Sequence, residues 1–296
     1  MQCAAGHEGS GGGEKPALYV VATPIGNLRD ITLRAIDVLK AVEVIAAEDT
    51  RVTGRLLSHY AIGPKTLLAL HQHNERRGAM QVVEHLRGGR SVALTSDAGT
   101  PAFSDPGARL IAAVHEAGYR VIPVPGANAA AAALSVSGFA GPQFVFYGFL
   151  SSKGGERRSA IEAVSRLPYT LVFYEAPHRV RDTLADLSAR LGGARTIVIA
   201  RELTKMFESV HTGMLEDAVE WVSADDNRQK GEFVLIVEGA PAAQRSTLVE
   251  SERVLEVLAR ALPVKQAASL AAQITGARKN ELYARALDLK RLAEPQ

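Results

Sequence analysis

Residues 91–107 read SVALTSDAGTPAFSDPG. The first five suit a strand buried on both faces. The next twelve hold two aspartates, two prolines, two glycines and three hydroxyl residues. A short apolar strand running into such a loop is the unit of an open α/β sheet, whose ligands bind beyond the carboxyl ends of the strands. The unit recurs three times nearby. Residues 18–22 (LYVVA) precede TPIGNL, 42–47 (VEVIAA) run into AEDTR, and 120–124 (RVIPV) precede PGAN. Another β-rich run covers 66–70, and helices are predicted near 30–41, 75–87 and 105–117. This alternation predicts a mostly parallel sheet covered on both faces, with all four loops on one edge.

Farther along, the pattern restarts with β-rich runs at 144–147, 169–174, 196–200, 208–212 and 232–237, and with helices near 155–166, 177–191 and 214–223. The turn formers of GFAGP (138–142) mark the expected hinge. The domain reading is a leader over 1–16, an N-terminal α/β domain over 17–137, a C-terminal α/β domain over 143–240 and a helical unit over 245–296. Within that last unit, 264–274 and a segment from Lys279 onward read as two helices around a turn at Thr275-Gly276. The pattern is a helix-turn-helix, with Arg278, Lys279 and Arg285 on or beside its second helix, the one that usually faces nucleic acid. A helical hairpin packed on the body is the alternative.

Composition narrows the function classes. The chain has 296 residues, 47% hydrophobic and 22% charged, which is enough for a sizeable core. The glycine-rich leader reads as disordered and lacks the apolar stretch of a signal peptide. No apolar run reaches the roughly 18 residues of a membrane span, so a cytoplasmic location is expected. The single cysteine, Cys3, lies in the leader, which argues against a disulfide framework or cysteine catalysis in the body. Net charge is only +2, but residues 241–296 hold nine Lys/Arg against six Asp/Glu. Attraction to a polyanion therefore depends on local patches. The loops contain neither GxGxxG nor GxxxxGK[ST], so nucleotide-cofactor fingerprints are unsupported. His71 and His73 share one face of an extended segment, yet a loop against substrate or solvent outweighs a zinc site, and no metal is expected.

The ordered segments TPIGNL, AEDTR, SDAGTPAFSDPG, FYEAPHR, RELTKMFE and GEFVLIVEG resemble the tetrapyrrole methylase superfamily, and within it the bacterial small-subunit (16S) rRNA 2′-O-ribose methyltransferases. The resemblance implies two α/β domains of the tetrapyrrole methylase type with a cofactor cleft between them, S-adenosylmethionine as methyl donor, and a homodimer. It further implies methylation of a cytidine ribose 2′-hydroxyl in the decoding region of 16S rRNA, within the 30S subunit. Cofactor contacts are expected from Pro24, Gly26, Asp97, Gly99, Thr100, Pro101, Pro125, Gly126, Asn128 and Ala129. Glu175, Arg179, Glu202 and Lys205 are the expected catalytic group, and Arg51 joins the C-terminal cations as an RNA contact.

Two positions depart from the family pattern. Asn128 stands where a small hydroxyl or similar residue is usual, and Ala176 replaces the serine of FYESPHR. In the long loop, Asp97 is the preferred functional acid, whereas Ser104 and Asp105 are expected to cap the following helix with Pro106 at its first position. Two other readings stay open: a tetrapyrrole-type small-molecule methylase, and a DNA-binding regulator with an α/β sensor body.

Overall fold

The computed structural model describes residues 15–71, 74–139, 141 and 143–293. Most of the expected leader, with Cys3, lies outside them, as do His73, Ala140 and Pro142. Two compact units are present. The first runs to Ala132 and also takes in Glu202–Glu208, and the second comprises the remainder.

In the first unit, strands β1 (Ala17–Val21), β2 (Val44–Ala47), β3 (Thr66–Ala69), β4 (Val92–Thr95) and β5 (Arg120–Val124) form a sheet in the order β3-β2-β4-β1-β5. Every pairing in it is parallel. Helices α1 (Leu33–Ala41), α2 (Thr50–His59), α3 (Glu75–Arg87) and α4 (Ala108–Glu116) connect the strands. Alternate residues of each strand feed two cores. Leu18, Val44, Val92 and Leu94 pack with Val82 and Leu86 of α3 and Leu110 of α4. Val21, Ile45 and Ala93 pack with Leu39 of α1 and Leu56 and Leu57 of α2. Two buried faces explain why these strands read as unbroken apolar runs.

Helix α2 is absent from the sequence reading. Its buried stripe is Thr53, Leu56 and Leu57, so a threonine fills one apolar position, and Gly54 lies beside it. The helix is strongly amphipathic, but its first residues, Thr50 and Arg51, belong to AEDTR, the segment that reads as a loop. Thr53 is placed by tertiary contact, its hydroxyl 3.2 Å from that of Thr95. Helix α5 (Ala129–Ser135) follows the loop after β5.

The second unit is also α/β, but its sheet is mixed. Strands β6 (Phe144–Phe149), β7 (Thr170–Glu175), β8 (Thr196–Arg201), β9 (Ser209–Met214) and β10 (Phe233–Val237) are ordered β6-β7-β10-β8-β9. Only β6 and β7 pair in parallel. The last strand inserts between β7 and β8, antiparallel to both, and β9 is antiparallel to β8. A central strand is apolar whichever way it runs, so its composition does not encode direction. Helices α6 (Gly154–Val164), α7 (Val180–Leu191) and α8 (Ala218–Ser223) cover one face, where Leu171, Phe173, Ile199 and Leu235 meet Ile161, Leu184, Leu187 and Val222.

The chain ends in α9 (Ala242–Ala261), α10 (Val264–Thr275) and α11 (Lys279–Ala293). Leu255, Ala267, Ala268, Ala271, Leu282 and Ala286 form their shared core. Alanines on α10 permit close helix approach, and Gly276, at φ 71°, closes α10 by donating its N–H to the Ala272 carbonyl at 3.0 Å. Among the described residues no helix is long and apolar enough to cross a membrane.

Candidate functional site

Because the first sheet is parallel throughout, the loops after β1, β2, β4 and β5 emerge together at its carboxyl edge. They are fastened to one another. Thr23 and Gly99 exchange backbone hydrogen bonds of 2.8 and 3.0 Å, and the Thr23 hydroxyl donates to the Ser96 carbonyl at 3.1 Å. The Asp49 N–H donates to Asp97 Oδ1 at 3.0 Å, while the Asp97 N–H donates to Glu48 Oε2 at 3.2 Å. Thr100 donates its hydroxyl to the Ala127 carbonyl at 3.2 Å. Side-chain and backbone groups of turn-forming residues thus tie four loops into one surface.

Glycine is required at three points of that surface. A Cβ at Gly126 would lie 2.9 Å from the Ala22 Cβ and 3.3 Å from its carbonyl oxygen. Gly99 has φ 82°, and a Cβ there would meet Ile25 at 3.3 Å. At Gly26 it would lie 2.5 Å from the Lys205 Cγ, because Glu202–Glu208 packs over the loop after β1. Ala102 and Ser104 also hold left-handed backbone, with φ 64° and 66°. Strain of this kind persists only where surrounding structure enforces it, and it concentrates at binding sites.

The capping role expected of Ser104, Asp105 and Pro106 is corrected by the structure. Helix α4 begins only at Ala108, and Glu75 of α3 serves its first turn, Oε1 accepting from the N–H groups of Gly107 (2.8 Å) and Arg109 (3.1 Å). Asp105 instead bonds to Ser96 and faces Glu48 and Asp97. Desolvation, with repulsion from those two carboxylates, pushes its carboxyl up to about 6. Burial also raises Glu48 and Asp97, each further raised by neighbouring acids. Asp49 departs the other way, since hydrogen bonding to Arg51 holds its carboxyl far below the ordinary range. The edge therefore carries carboxylates that would gain from a nearby cation. Among the described residues no group of His, Cys, Asp and Glu is arranged to hold a metal ion.

The remaining expected cofactor residues lie along the same edge. Pro24 and Pro101 are buried, whereas Gly26 and Pro125 are exposed. The Pro125 carbonyl accepts from the Thr32 hydroxyl at 3.4 Å. Asn128 caps α5, its Oδ1 accepting from the Ala131 N–H at 3.0 Å, and Ala129 begins that helix. Asparagine and small hydroxyl residues serve equally as caps, so the departure at 128 preserves the local structure.

The four expected catalytic residues form two ion pairs, one in each unit. Glu202 and Lys205 meet at 2.9 Å within the segment that packs on Gly26. Glu175, only 2% exposed, meets Arg179 at 2.7 Å; it also accepts from the Thr183 hydroxyl at 2.5 Å and the Ala176 N–H at 2.7 Å. Arg179 Nη1 reaches the Leu150 carbonyl at 3.3 Å. Through these contacts Glu175 holds Arg179 in place.

Of the expected RNA contacts, Arg51 is paired with Asp49 at 2.6 Å, Arg285 with Glu252 at 3.3 Å, and Arg278 lies 3.9 Å from Glu281. Glu281 is also bound by Arg166. Lys279 opens α11. Sequence reasoning missed the placement of Asp105 among Glu48 and Asp97 and the fastening role of Thr23. A useful signal for the former was the second Asp of SDAGTPAFSDPG, three residues before the helix and too early to cap it.

The chain matches the model of the Tetrapyrrole (Corrin/Porphyrin) Methylases over residues 17–219 and that of the RsmI C-terminal HTH domain over 247–290. It is similar to proteins named ribosomal RNA small subunit methyltransferase I. The Escherichia coli O157:H7 protein is 49% identical, covering 92% of this chain and 94% of that one. The Pseudomonas aeruginosa protein is 50% identical, covering 91% and 96%. Among solved structures, the methyltransferase CobJ superposes with a TM-score of 0.58 at 20% identity, over 76% of this chain and 95% of that one. A uroporphyrin-III C-methyltransferase of Thermus thermophilus, complexed with S-adenosyl homocysteine, gives 0.53 at 20% identity, over 75% and 97%. Matched over both its α/β portion and its helical end, this chain belongs to the tetrapyrrole methylases, in the family of the ribosomal RNA small subunit methyltransferase I proteins.

Proposed function

We propose that this protein is an S-adenosylmethionine-dependent methyltransferase that modifies a cytidine ribose 2′-hydroxyl in the decoding region of 16S rRNA, with the 30S subunit as its substrate. The observation that carries the reading is near-full-length similarity, at about half identity, to relatives named for that class of enzyme. A tetrapyrrole substrate is disfavoured because the match extends through the C-terminal helices. A DNA-binding regulator has no need of the interlocked strand-end loops.

The residues at the first sheet's edge fit the methyl donor. Gly99 and Gly126 leave backbone exposed where a Cβ would clash, and Glu48, Asp97 and Asp105 suit its cationic groups, the ammonium and the sulfonium. The bound donor supplies an electrophilic methyl on a sulfonium. The chain's part is to hold the ribose oxygen in line with that methyl, exclude water and accept the hydroxyl proton. Lys205, held by Glu202, and Arg179, held by Glu175, are assigned to positioning the RNA, since a guanidinium or ammonium suits a phosphate. Arg51, Arg278, Lys279 and Arg285 are assigned to further phosphates of the RNA. The protein acts in the cytoplasm, as a homodimer.

The test is incubation with labelled methyl donor and, separately, 30S subunits lacking the modification, bare rRNA, a tetrapyrrole and DNA. Label on a cytidine 2′-oxygen of the subunit is the expected result. Label on the tetrapyrrole alone overturns the reading. Light scattering tests the dimer.

A further inference from the structure

We propose that Met206 and Phe207 form a stacking platform for a nucleobase of the substrate RNA, an inference resting on the rRNA methyltransferase reading above. Met206 is 90% exposed and Phe207 67%, two adjacent large apolar side chains on a loop that is otherwise firmly built. Glu202–Glu208 makes two successive turns, the Lys205 N–H donating to the Glu202 carbonyl at 3.0 Å and the Glu208 N–H to the Lys205 carbonyl at 3.1 Å. The Glu208 carboxylate accepts from the Thr204 N–H at 2.5 Å, and Lys205 is clamped to Glu202. Two residues hold left-handed backbone, Glu202 at φ 52° and Thr204 at φ 67°. The buried Thr204 hydroxyl has no hydrogen-bond partner among the described residues. A β-branched residue in that conformation is disfavoured, so the surrounding bonds maintain the loop shape against local preference.

The location identifies the ligand. Lys205 and Thr204 sit over Gly26, at the edge where the four strand-end loops are fastened. The tip is therefore presented beside the candidate site by a preformed loop. Its apolar extent is two side chains, flanked by Lys205 and Glu208. A stable subunit interface needs roughly 800 Å² per partner, far more than this tip offers. One aromatic ring with a polarisable thioether beside it matches the face of a single base, and a cation beside it matches the adjoining phosphate. An enzyme acting on a ribose must hold that nucleotide apart from its neighbours, and stacking on protein side chains replaces the base–base stacking lost.

The experiment compares wild type, Phe207→Ala, Phe207→Tyr and Met206→Ala on undermethylated 30S subunits, with donor affinity measured by calorimetry and mass by light scattering. Phe207→Ala should raise the KM for subunits by roughly 5- to 100-fold, while donor affinity stays within twofold of wild type. Phe207→Tyr, retaining a ring, should restore most of the loss, and Met206→Ala should show a smaller rise. An unchanged KM for Phe207→Ala, with wild type active, overturns the platform alone. A KM rise accompanied by loss of the wild-type mass overturns it in favour of a subunit contact. Wild type that methylates no RNA overturns the parent reading and the platform with it.

Discussion

Asp105→Asn should make the protein more stable at neutral pH and worse at binding its methyl donor. The Asp105 carboxyl is raised from an ordinary value of 3.8 to about 6, by desolvation first and by Glu48 and Asp97 after it. A carboxyl whose pKa is higher folded than unfolded favours the folded state fully only below the unfolded value. That advantage is lost as pH rises from about 4 through about 6. At 1.36 kcal/mol per pKa unit the full cost is about 3 kcal/mol, and partial solvent exposure reduces it to about 1.5 kcal/mol. Asparagine retains an acceptor for the Ser96 hydroxyl and cannot ionise. In thermal melts the variant should match wild type near pH 4 and melt about 3–6 °C higher at pH 8. A cation bound among these carboxylates relieves their repulsion, so the same variant should bind the donor more weakly by about 1–2 kcal/mol in calorimetry. Equal melting at both pH values, or a variant less stable at pH 8, would refute the reasoning.

Other perturbations address the same edge, the Glu175–Arg179 pair and the C-terminal cations. Gly126→Ala, forced against Ala22, should lower stability by about 1–3 kcal/mol and reduce donor affinity, as followed by denaturant titration and calorimetry. Thr100→Val removes the bond to the Ala127 carbonyl and should cost about 1 kcal/mol of stability, with a parallel loss of donor affinity. Glu175→Ala leaves the partly buried Arg179 without its carboxylate and should destabilise by about 3–5 kcal/mol in the same titration. Charge reversal at Lys279 and Arg285 should raise the KM for 30S subunits and flatten its salt dependence, while leaving donor binding unchanged; each lost phosphate contact reduces the slope by about 0.7.

Apolar periodicity and turn chemistry, both local properties, made the first sheet legible from residues 91–107 outward. A run of apolar residues interrupted by helices, with Gly, Pro and Asp after each strand, has few solutions other than a covered parallel sheet. The C-terminal hairpin was legible for a similar reason, since Gly276 and the alanines of α10 specify a tight turn and close packing. The turn residues also located the four loops, because strand ends in a parallel sheet share an edge.

Tertiary structure alone decided what depends on partners distant in sequence. The insertion of β10 between β7 and β8 made both of its pairings antiparallel, and nothing in FVLIV distinguishes those directions. The contact between the hydroxyls of Thr53 on α2 and Thr95, 42 residues apart, is likewise set only by the fold. The seven residues Glu202–Glu208 belong to the first unit although strands of the second flank them, which no linear reading of domains anticipates. Asp105 stays outside the cap of α4, which Glu75, thirty residues earlier, serves, and its carboxyl is raised by burial and by Glu48 and Asp97. A residue's type is local, whereas its charge state and role are set by neighbours that only the folded chain brings together.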